Sequence, residues 1–140
     1  MKGASQNWYK EEHSEIRNFY DNDDNKYLSN MQVLDKPIII AHIEFFSSEA
    51  AYQSCKFLDM ETKRLVSKMS PKKSKVFAKE QFDLKGKDHA LDSSFMPNRL
   101  KYMQSIVLKK FENNPNLLDK LISTNDKTLI EGNWWMMWLL

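Results

Sequence analysis

Cysteine and glycine are both scarce in this sequence, and their scarcity excludes several classes of protein. Cys55 is the single cysteine, so no internal disulfide can form, and a reducing, cytoplasmic compartment is expected. Three glycines cannot supply a glycine-rich phosphate loop, and with only four prolines they argue against an all-β chain built on many tight turns. The composition therefore predicts a chain dominated by helices.

Long apolar runs and a strong charge of one sign are also missing. No stretch approaches the roughly 20 apolar residues of a membrane-spanning helix, and residues 1–8 lack the apolar core of a signal peptide. The formal net charge is +2, which provides little attraction to nucleic acid or to an anionic membrane surface. We expect a soluble protein with no membrane partner.

Metal-binding and nucleophilic patterns are absent as well. His13, His42 and His89 are isolated, with no second histidine or cysteine at metal-ligand spacing. Cys55 lies among apolar neighbours in a segment expected to be helical, which is more typical of a buried, inert thiol than of a nucleophile. The sequence therefore predicts no metal and no cofactor.

The chain of 140 residues, 41% of them hydrophobic, is long enough for one domain with a substantial core. Residues 16–140 are expected to form this single domain after a loosely ordered segment at 1–15. We predict a mostly α (α+β) fold, compact, with a few short strands in the N-terminal half and one near the C-terminus.

Individual strands and helices are predicted from periodicity and capping signals. The β-branched run from Pro37 to Phe45 predicts one strand or a tight hairpin, and residues 128–131 predict a last strand. Residues 16–20 alternate as an edge strand does, although a helix over 8–20 is the competing interpretation. Helices are predicted to begin at Ser47 or Ser48, at Asp59, at Ser70-Pro71, near Pro97 and after Asn114-Pro115, with a loop at 81–92.

The stretch from Glu44 to Leu58 changes from an extended aromatic run into a helix at a pair of serines. Either serine can cap this helix, because a hydroxyl accepts a hydrogen bond from a free N–H group of the first turn. Glu49 then falls in the first turn, where the helix dipole favours a negative charge. The same spacing also fits a carboxylate at the floor of a pocket, with Tyr52, Gln53 and Lys56 following on the same face. Both interpretations stay open on spacing alone.

Several segments, read in order, together resemble a known family. These are Tyr27-Leu28-Ser29-Asn30-Met31, the run Phe46-Ser47-Ser48-Glu49-Ala50-Ala51-Tyr52-Gln53-Ser54-Cys55-Lys56, Pro71 and Ala78, Phe95 with Arg99 and Met103, Lys110-Phe111-Glu112-Asn113-Asn114-Pro115-Asn116-Leu117, and Leu129-Ile130-Glu131-Gly132-Asn133. Their order and spacing are similar to those of the NADAR (NAD and ADP-ribose) superfamily, which includes the bacterial YbiA-like N-glycosidases. The resemblance extends over about residues 16–135, nearly the whole chain.

This resemblance implies a compact, mostly helical YbiA-like fold and the cleavage or recognition of N-glycosidic bonds. The substrates it implies are phosphorylated ribosylamino-pyrimidine intermediates of riboflavin synthesis, NAD or ADP-ribose derivatives, and ADP-ribosylated nucleobases. The expected partner is therefore a small nucleotide-like or ribosyl-phosphate molecule, with ADP-ribosylated nucleic acid as a further candidate. No metal or cofactor is implied, since water and carboxylates suffice for the reaction.

The resemblance also implies the residues of a site. Glu49 matches the family's glutamate in the Ser-Glu-x-Ala-Tyr-Gln segment and is the expected catalytic residue, because breaking a ribose C1–N bond builds positive charge at C1 and on the ring oxygen. Tyr52 is its expected neighbour, Lys56 is expected to hold a phosphate or tune the acid, and Arg99 is the expected anion clamp. The remaining substrate-binding candidates are Asn30 and Asn133 for ribose hydroxyls, Trp135 for stacking on the base, and Glu131 as a second carboxylate or as support for Asn133.

The sequence departs from the family pattern near its C-terminus. After Glu131-Gly132-Asn133 and a tryptophan the family usually has an aspartate followed by Trp-Gly, whereas this chain reads Met136-Met137-Trp138-Leu139-Leu140. Phe95 also stands where tryptophan is more frequent, and Ala50 where histidine is. The leading hypothesis is an N-glycosidase, and the alternative is an ADP-ribose or nucleotide-binding module with impaired catalysis. Binding of nucleic acid or of another partner, through the lysines of residues 68–79 and the apolar C-terminal tail, is a third hypothesis, which the balanced charge disfavours.

Overall fold

The structure is a computed structural model that describes residues 15–19, 23–85 and 91–131. Its elements are strands β1 (Glu15–Arg17), β2 (Ile38–Ile40), β3 (Ile43–Phe45) and β4 (Thr128–Ile130), helices α1 (Ser48–Ser54), α2 (Met60–Ser67), α3 (Pro71–Lys85), α4 (Phe95–Asn113) and α5 (Pro115–Ser123), and a 3-10 helix at Asp23–Leu28. This element content confirms the mostly α (α+β) fold with a few short strands.

The chain divides into two compact units. Residues 1–29 and 119–140 belong to one, here called the terminal unit, and Asn30–Leu118 form the other, here called the internal unit. The single domain over 16–140 and the loosely ordered segment at 1–15 stay predictions, and residues 1–14 lie outside the described ranges.

The terminal unit contains a two-stranded parallel sheet. β1 pairs with β4 so that Ile16 lies opposite Leu129. Asn18 ends the first strand in a left-handed conformation with φ 52°, which asparagine tolerates, and its N–H still donates to the Ile130 carbonyl at 3.2 Å. The strand predicted at 128–131 is confirmed at 128–130, and at 15–17 a strand is found where a helix over 8–20 was the competing interpretation.

In the internal unit, a two-stranded antiparallel hairpin directly precedes helix α1. Ile38 lies opposite Phe45 in the pairing of β2 with β3, and both side chains are fully buried. The turn consists of Ala41 and His42, with φ of 52° and 65°. A two-residue hairpin turn favours positive φ at both positions, because its twist then matches that of the strands. The hairpin interpretation of residues 37–45 is therefore confirmed, and its turn forms without glycine.

Helix α1 follows the hairpin and packs against more elements than any other described part of the internal unit. It contacts α2, α3, α4 and both hairpin strands, and all of its residues are buried. Close packing on several sides requires small side chains, and Ala50, Ala51 and Ser54 are each 1% exposed or less. The polar residues Glu49 and Gln53 are therefore held inside the protein.

The remaining helices begin close to their predicted signals. The Asp59 carboxylate caps α2 by accepting from the Thr62 N–H at 2.9 Å, and α3 begins at Pro71 as predicted. The loop predicted at 81–92 is wrong for residues 81–85, because α3 continues to Lys85. No glycine or proline interrupts the sequence before Gly86, and the Lys79–Asp83 ion pair supports the last turns at 3.2 Å.

Membrane-spanning character is not found in the helices just described. Within the described ranges, no helix is both long enough and apolar enough to cross a membrane.

Candidate functional site

The first turn of α1 fixes the backbone of the predicted catalytic residue. Ser47 is the cap, since its Oγ accepts from the Ala50 N–H at 3.1 Å, while Ser48 is already helical. The N–H of Glu49 donates to the Asn30 carbonyl at 3.0 Å. The loop that contains Asn30 therefore occupies one of the free donors at the helix start.

The Glu49 side chain is buried and hydrogen-bonded within the same helix. Only 8% of the residue is exposed, and its Oε2 accepts from Gln53 Nε2 at 2.6 Å. Gln53 is 3% exposed and lies one turn further on, where an i, i+4 pair shares a helix face. Glu49 is thus a first-turn acid whose side chain is buried. The interpretation that its carboxylate forms the floor of a pocket stays a prediction.

Two buried polar atoms of α1 lack a partner. Gln53 Oε1 and Ser48 Oγ make no hydrogen bond to any residue in the described ranges. A buried acceptor without a donor costs about 1–3 kcal/mol, and such atoms are uncommon in folded proteins. The polar content of this helix is therefore hard to explain by stability alone.

A cation lies against aromatic rings at the end of α1. Lys56 Nζ is 5.8 Å from the centroid of the Tyr52 ring and 5.6 Å from that of the Phe95 ring. The Tyr52 and Phe95 rings pack edge to face with their centroids 5.2 Å apart, and the Phe95 ring stacks on that of Tyr102 with a centroid distance of 6.1 Å. The ring faces attract the ammonium group, so α1 and α4 together fix the position of Lys56.

Charge couples the carboxylate to this aromatic group. Burial lowers the pKa of Lys56, the Glu49 carboxylate opposes that shift, and Lys75 adds to it. For Tyr52, whose charged form is the anion, burial raises the pKa. The Glu49 carboxylate raises it further, and the Arg99 guanidinium opposes the shift. Glu49 therefore lies within electrostatic range of Tyr52 and Lys56, and Arg99 lies within electrostatic range of Tyr52.

Arg99 reaches this cluster from α4, one turn beyond Phe95. Its Nη1 donates to the Met96 carbonyl at 2.6 Å, and the side chain is half-buried. A guanidinium presents its N–H donors in a planar fork that matches the oxygens of a phosphate. The charge of Arg99 acts on Tyr52.

The comparison with known families decides what kind of chain this is. The model of the NADAR domain family matches residues 8–134. The chain belongs to the NADAR domain family.

The fold of this NADAR chain is similar to that in the NMR structure of the Escherichia coli protein YbiA. The TM-score is 0.66 at 21% sequence identity, and the similarity covers 83% of this chain and 65% of YbiA. The expected YbiA-like fold is confirmed, while the chain spans less than two thirds of the YbiA length. No functionally curated protein matches the sequence.

The described ranges include only part of the predicted site of the NADAR chain. Glu49, Tyr52, Lys56 and Arg99 are brought together by α1 and α4. Asn30 is half-buried and contributes its backbone carbonyl to the Glu49 N–H. Glu131 follows β4 in the terminal unit and is half-buried. Two further predicted residues, Asn133 and Trp135, lie outside the described ranges, as do residues 136–140.

Four residues that interact with the cluster or with its aromatic rings were not among the predicted site residues. Gln53 was visible in the sequence, because it follows Glu49 at the i, i+4 spacing of one helix face. Phe95 was part of the family resemblance, but neither the ring pair of Phe95 and Tyr102 nor the charge of Lys75 gave a local signal of its place in the cluster, because these residues approach α1 through tertiary packing. The sequence pattern did not predict which helices pack against each other.

A separate groove lies beside the hairpin of the internal unit. It is open, has a volume of about 860 Å³, and borders on Ser47 but on none of the four clustered residues. Its lining combines exposed apolar side chains with cations, and consists of Val33, Ile39, His42, Ile43, Glu44, Phe46, Ser47, Arg64, Ser67, Lys68, Met69, Ser70 and Pro71. The buried carboxylate, with its fixed partners, is the better candidate for chemistry than this open surface.

Metal ligation has no candidate in the part of the chain that the structure describes. There, no group of three or more histidine, cysteine, aspartate or glutamate side chains is arranged to hold a metal ion. The chemistry available to the Glu49 cluster is that of a carboxylate, two cations and aromatic rings.

Proposed function

We propose that this NADAR chain is an N-glycosidase that hydrolyses the bond between ribose C1 and a base nitrogen. Its substrate is a phosphorylated ribosyl or ADP-ribosyl molecule: a riboflavin-pathway intermediate, an NAD or ADP-ribose derivative, or an ADP-ribosylated base. The observation that carries the proposal is the buried Glu49 carboxylate in electrostatic range of Lys56. Membership of the family supports the same class of reaction.

The reaction suits an enclosed carboxylate. As the C1–N bond breaks, its electron pair leaves with the base nitrogen, which gains a proton, and positive charge develops at C1 and on the ring oxygen. Water then bonds to C1 and loses a proton, so the products are the free base and a ribosyl phosphate with a hydroxyl at C1. Glu49 stabilises the positive charge or accepts the proton from water, by analogy with the carboxylates of glycoside hydrolysis.

The neighbouring residues supply substrate binding in this proposal. The ammonium of Lys56 and the guanidinium of Arg99 attract the phosphate oxygens, and the guanidinium can do so with two parallel hydrogen bonds. Tyr52 interacts with both cations, since its ring centroid lies 5.8 Å from Lys56 Nζ and the Arg99 guanidinium opposes the rise in the pKa of its hydroxyl. Asn30, Glu131, Asn133 and Trp135 remain predicted substrate-binding residues.

Release of free base, followed by chromatography, tests the proposal. The substrates to be compared are ADP-ribose, NAD, ADP-ribosylated guanosine and the ribosylamino-pyrimidine phosphates. Glu49→Gln should lower turnover by about a hundredfold or more, as expected when an acid–base group is lost. Glu61→Gln is the matched control, because Glu61 is also a first-turn acid but is exposed on α2. Equal losses in both variants would contradict a catalytic role for Glu49.

The sequence favours one alternative, a binding module with impaired catalysis. Met136 and Met137 stand in the region where the family usually has its aspartate. This alternative predicts that calorimetry detects ADP-ribose binding, that Arg99→Ala weakens it, and that no base is released from any of the substrates. Base release by the unmodified chain would exclude it.

A further inference from the structure

We infer that Gln53 is the positioning residue for the Glu49 carboxylate, an inference that rests on the proposed function. The amide Nε2 donates to Glu49 Oε2 at 2.6 Å across one turn of α1. Both side chains are enclosed in the helix that the other elements of the internal unit surround. A carboxylate held at one oxygen keeps a fixed orientation and presents its other oxygen to the reacting atoms.

Within the described ranges, Gln53 is the side chain that hydrogen-bonds the Glu49 carboxylate. None of the ion pairs there involves Glu49, and Lys56 and Tyr52 act on the carboxylate through space only. The backbone of Glu49 is fixed separately by the Asn30 carbonyl. The orientation of the carboxylate within the helix face therefore depends on the glutamine amide.

The other end of the same amide argues for a role beyond stability. Gln53 Oε1 is buried and has no partner in the described ranges. A methionine of similar length would fill the same space without burying an unsatisfied oxygen. The hydrogen bond to Glu49 is what the amide provides and an apolar side chain does not.

Steady-state kinetics of Gln53→Met, Glu49→Gln and the double variant test the inference. Gln53→Met should lower kcat by about tenfold or more, with KM changed by less than about threefold, because a misplaced catalytic group loses rate more than binding. In the Glu49→Gln background the same substitution should have no further effect, since Gln53 acts through Glu49. Gln104→Met, on the exposed face of α4, is the control and should leave kcat unchanged.

The outcomes separate this inference from the proposed function. An active wild type with unchanged kcat in Gln53→Met, or losses that simply multiply in the double variant, would overturn the positioning role and leave the glycosidase proposal intact. A wild type that releases no base would overturn both. If Gln53→Met fails to fold, the side-chain amide resonances of Gln53 should still shift in folded Glu49→Gln, and unchanged resonances would refute the contact.

Discussion

Replacing Glu49 and Gln53 together by leucine and methionine should remove activity while changing the free energy of unfolding much less than either single substitution does. The two residues are 8% and 3% exposed, and one hydrogen bond of 2.6 Å joins them. Glu49→Leu alone leaves both polar ends of the buried amide unpaired, and Gln53→Met alone leaves the carboxylate without its amide donor. Each single substitution should therefore lower the free energy of unfolding by about 1–3 kcal/mol.

The double substitution removes the carboxylate, the amide donor and the unpartnered Oε1 at once. Replacing both partners of a buried polar contact by apolar groups of similar shape is close to neutral or stabilising. Loss of the first-turn acid opposes this by about 0.3–1 kcal/mol. The free energy of unfolding of the double variant should therefore be within about 1 kcal/mol of the wild-type value or higher. It should clearly exceed that of both single variants.

Urea denaturation followed by circular dichroism measures this difference. Glu61→Leu gives the contribution of an exposed first-turn acid and serves as the control. A double variant that loses the sum of the two single losses would show that the pair supports the fold, and would refute the view that its polar groups are held there for chemistry.

Three smaller predictions concern the hairpin turn, the thiol and the buried ammonium. Ala41→Gly should raise the free energy of unfolding by about 0.5–1 kcal/mol, because φ of 52° disfavours alanine; a lower melting temperature would contradict the turn geometry. Cys55 should react with an aromatic disulfide reagent more slowly in the native protein than in urea, since burial raises the pKa of its thiol; equal rates would be inconsistent with that burial. Because burial lowers the pKa of Lys56 in the folded state, the unfolded chain binds this proton more tightly, so stability should increase as the pH rises toward 10.5. Urea titrations at several pH values should show that Lys56→Met reduces this increase, and an unchanged pH profile would count against a lowered pKa of Lys56 in the folded state.

Local signals in the sequence were sufficient for much of the internal unit. The serine pair at 47 and 48 located the start of α1 to within one residue, and the Asp59 cap and the proline at position 71 indicated the starts of α2 and α3, because capping depends on neighbours within one turn. The β-branched run before residue 45 indicated strand, but choosing the hairpin required the positive φ values of a turn that lacks glycine. Patterns within one turn were reliable where no tertiary contact competed.

The candidate site depended on contacts that local signals do not encode. Family order, and not periodicity, pointed to Glu49 and Arg99, and the approach of Phe95 to Tyr52 at 5.2 Å comes from packing of α4 on α1. The end of α3 was misplaced because the Lys85-Gly86-Lys87 stretch indicated a loop. Residues 81–85 contain no helix breaker, and the Lys79–Asp83 ion pair supports the turn between those two residues, so the helix continues to Lys85. The contacts of the candidate site depend on tertiary packing, which a local sequence pattern does not encode.

The role of the buried carboxylate is best measured as the rate of base release by Glu49→Gln, compared with the wild type and with Glu61→Gln. Glu49→Gln should lose about a hundredfold or more in turnover on whichever ribosyl substrate the wild type cleaves. Glu61→Gln should retain the wild-type rate. Equal turnover in all three proteins would contradict a catalytic role for the buried carboxylate.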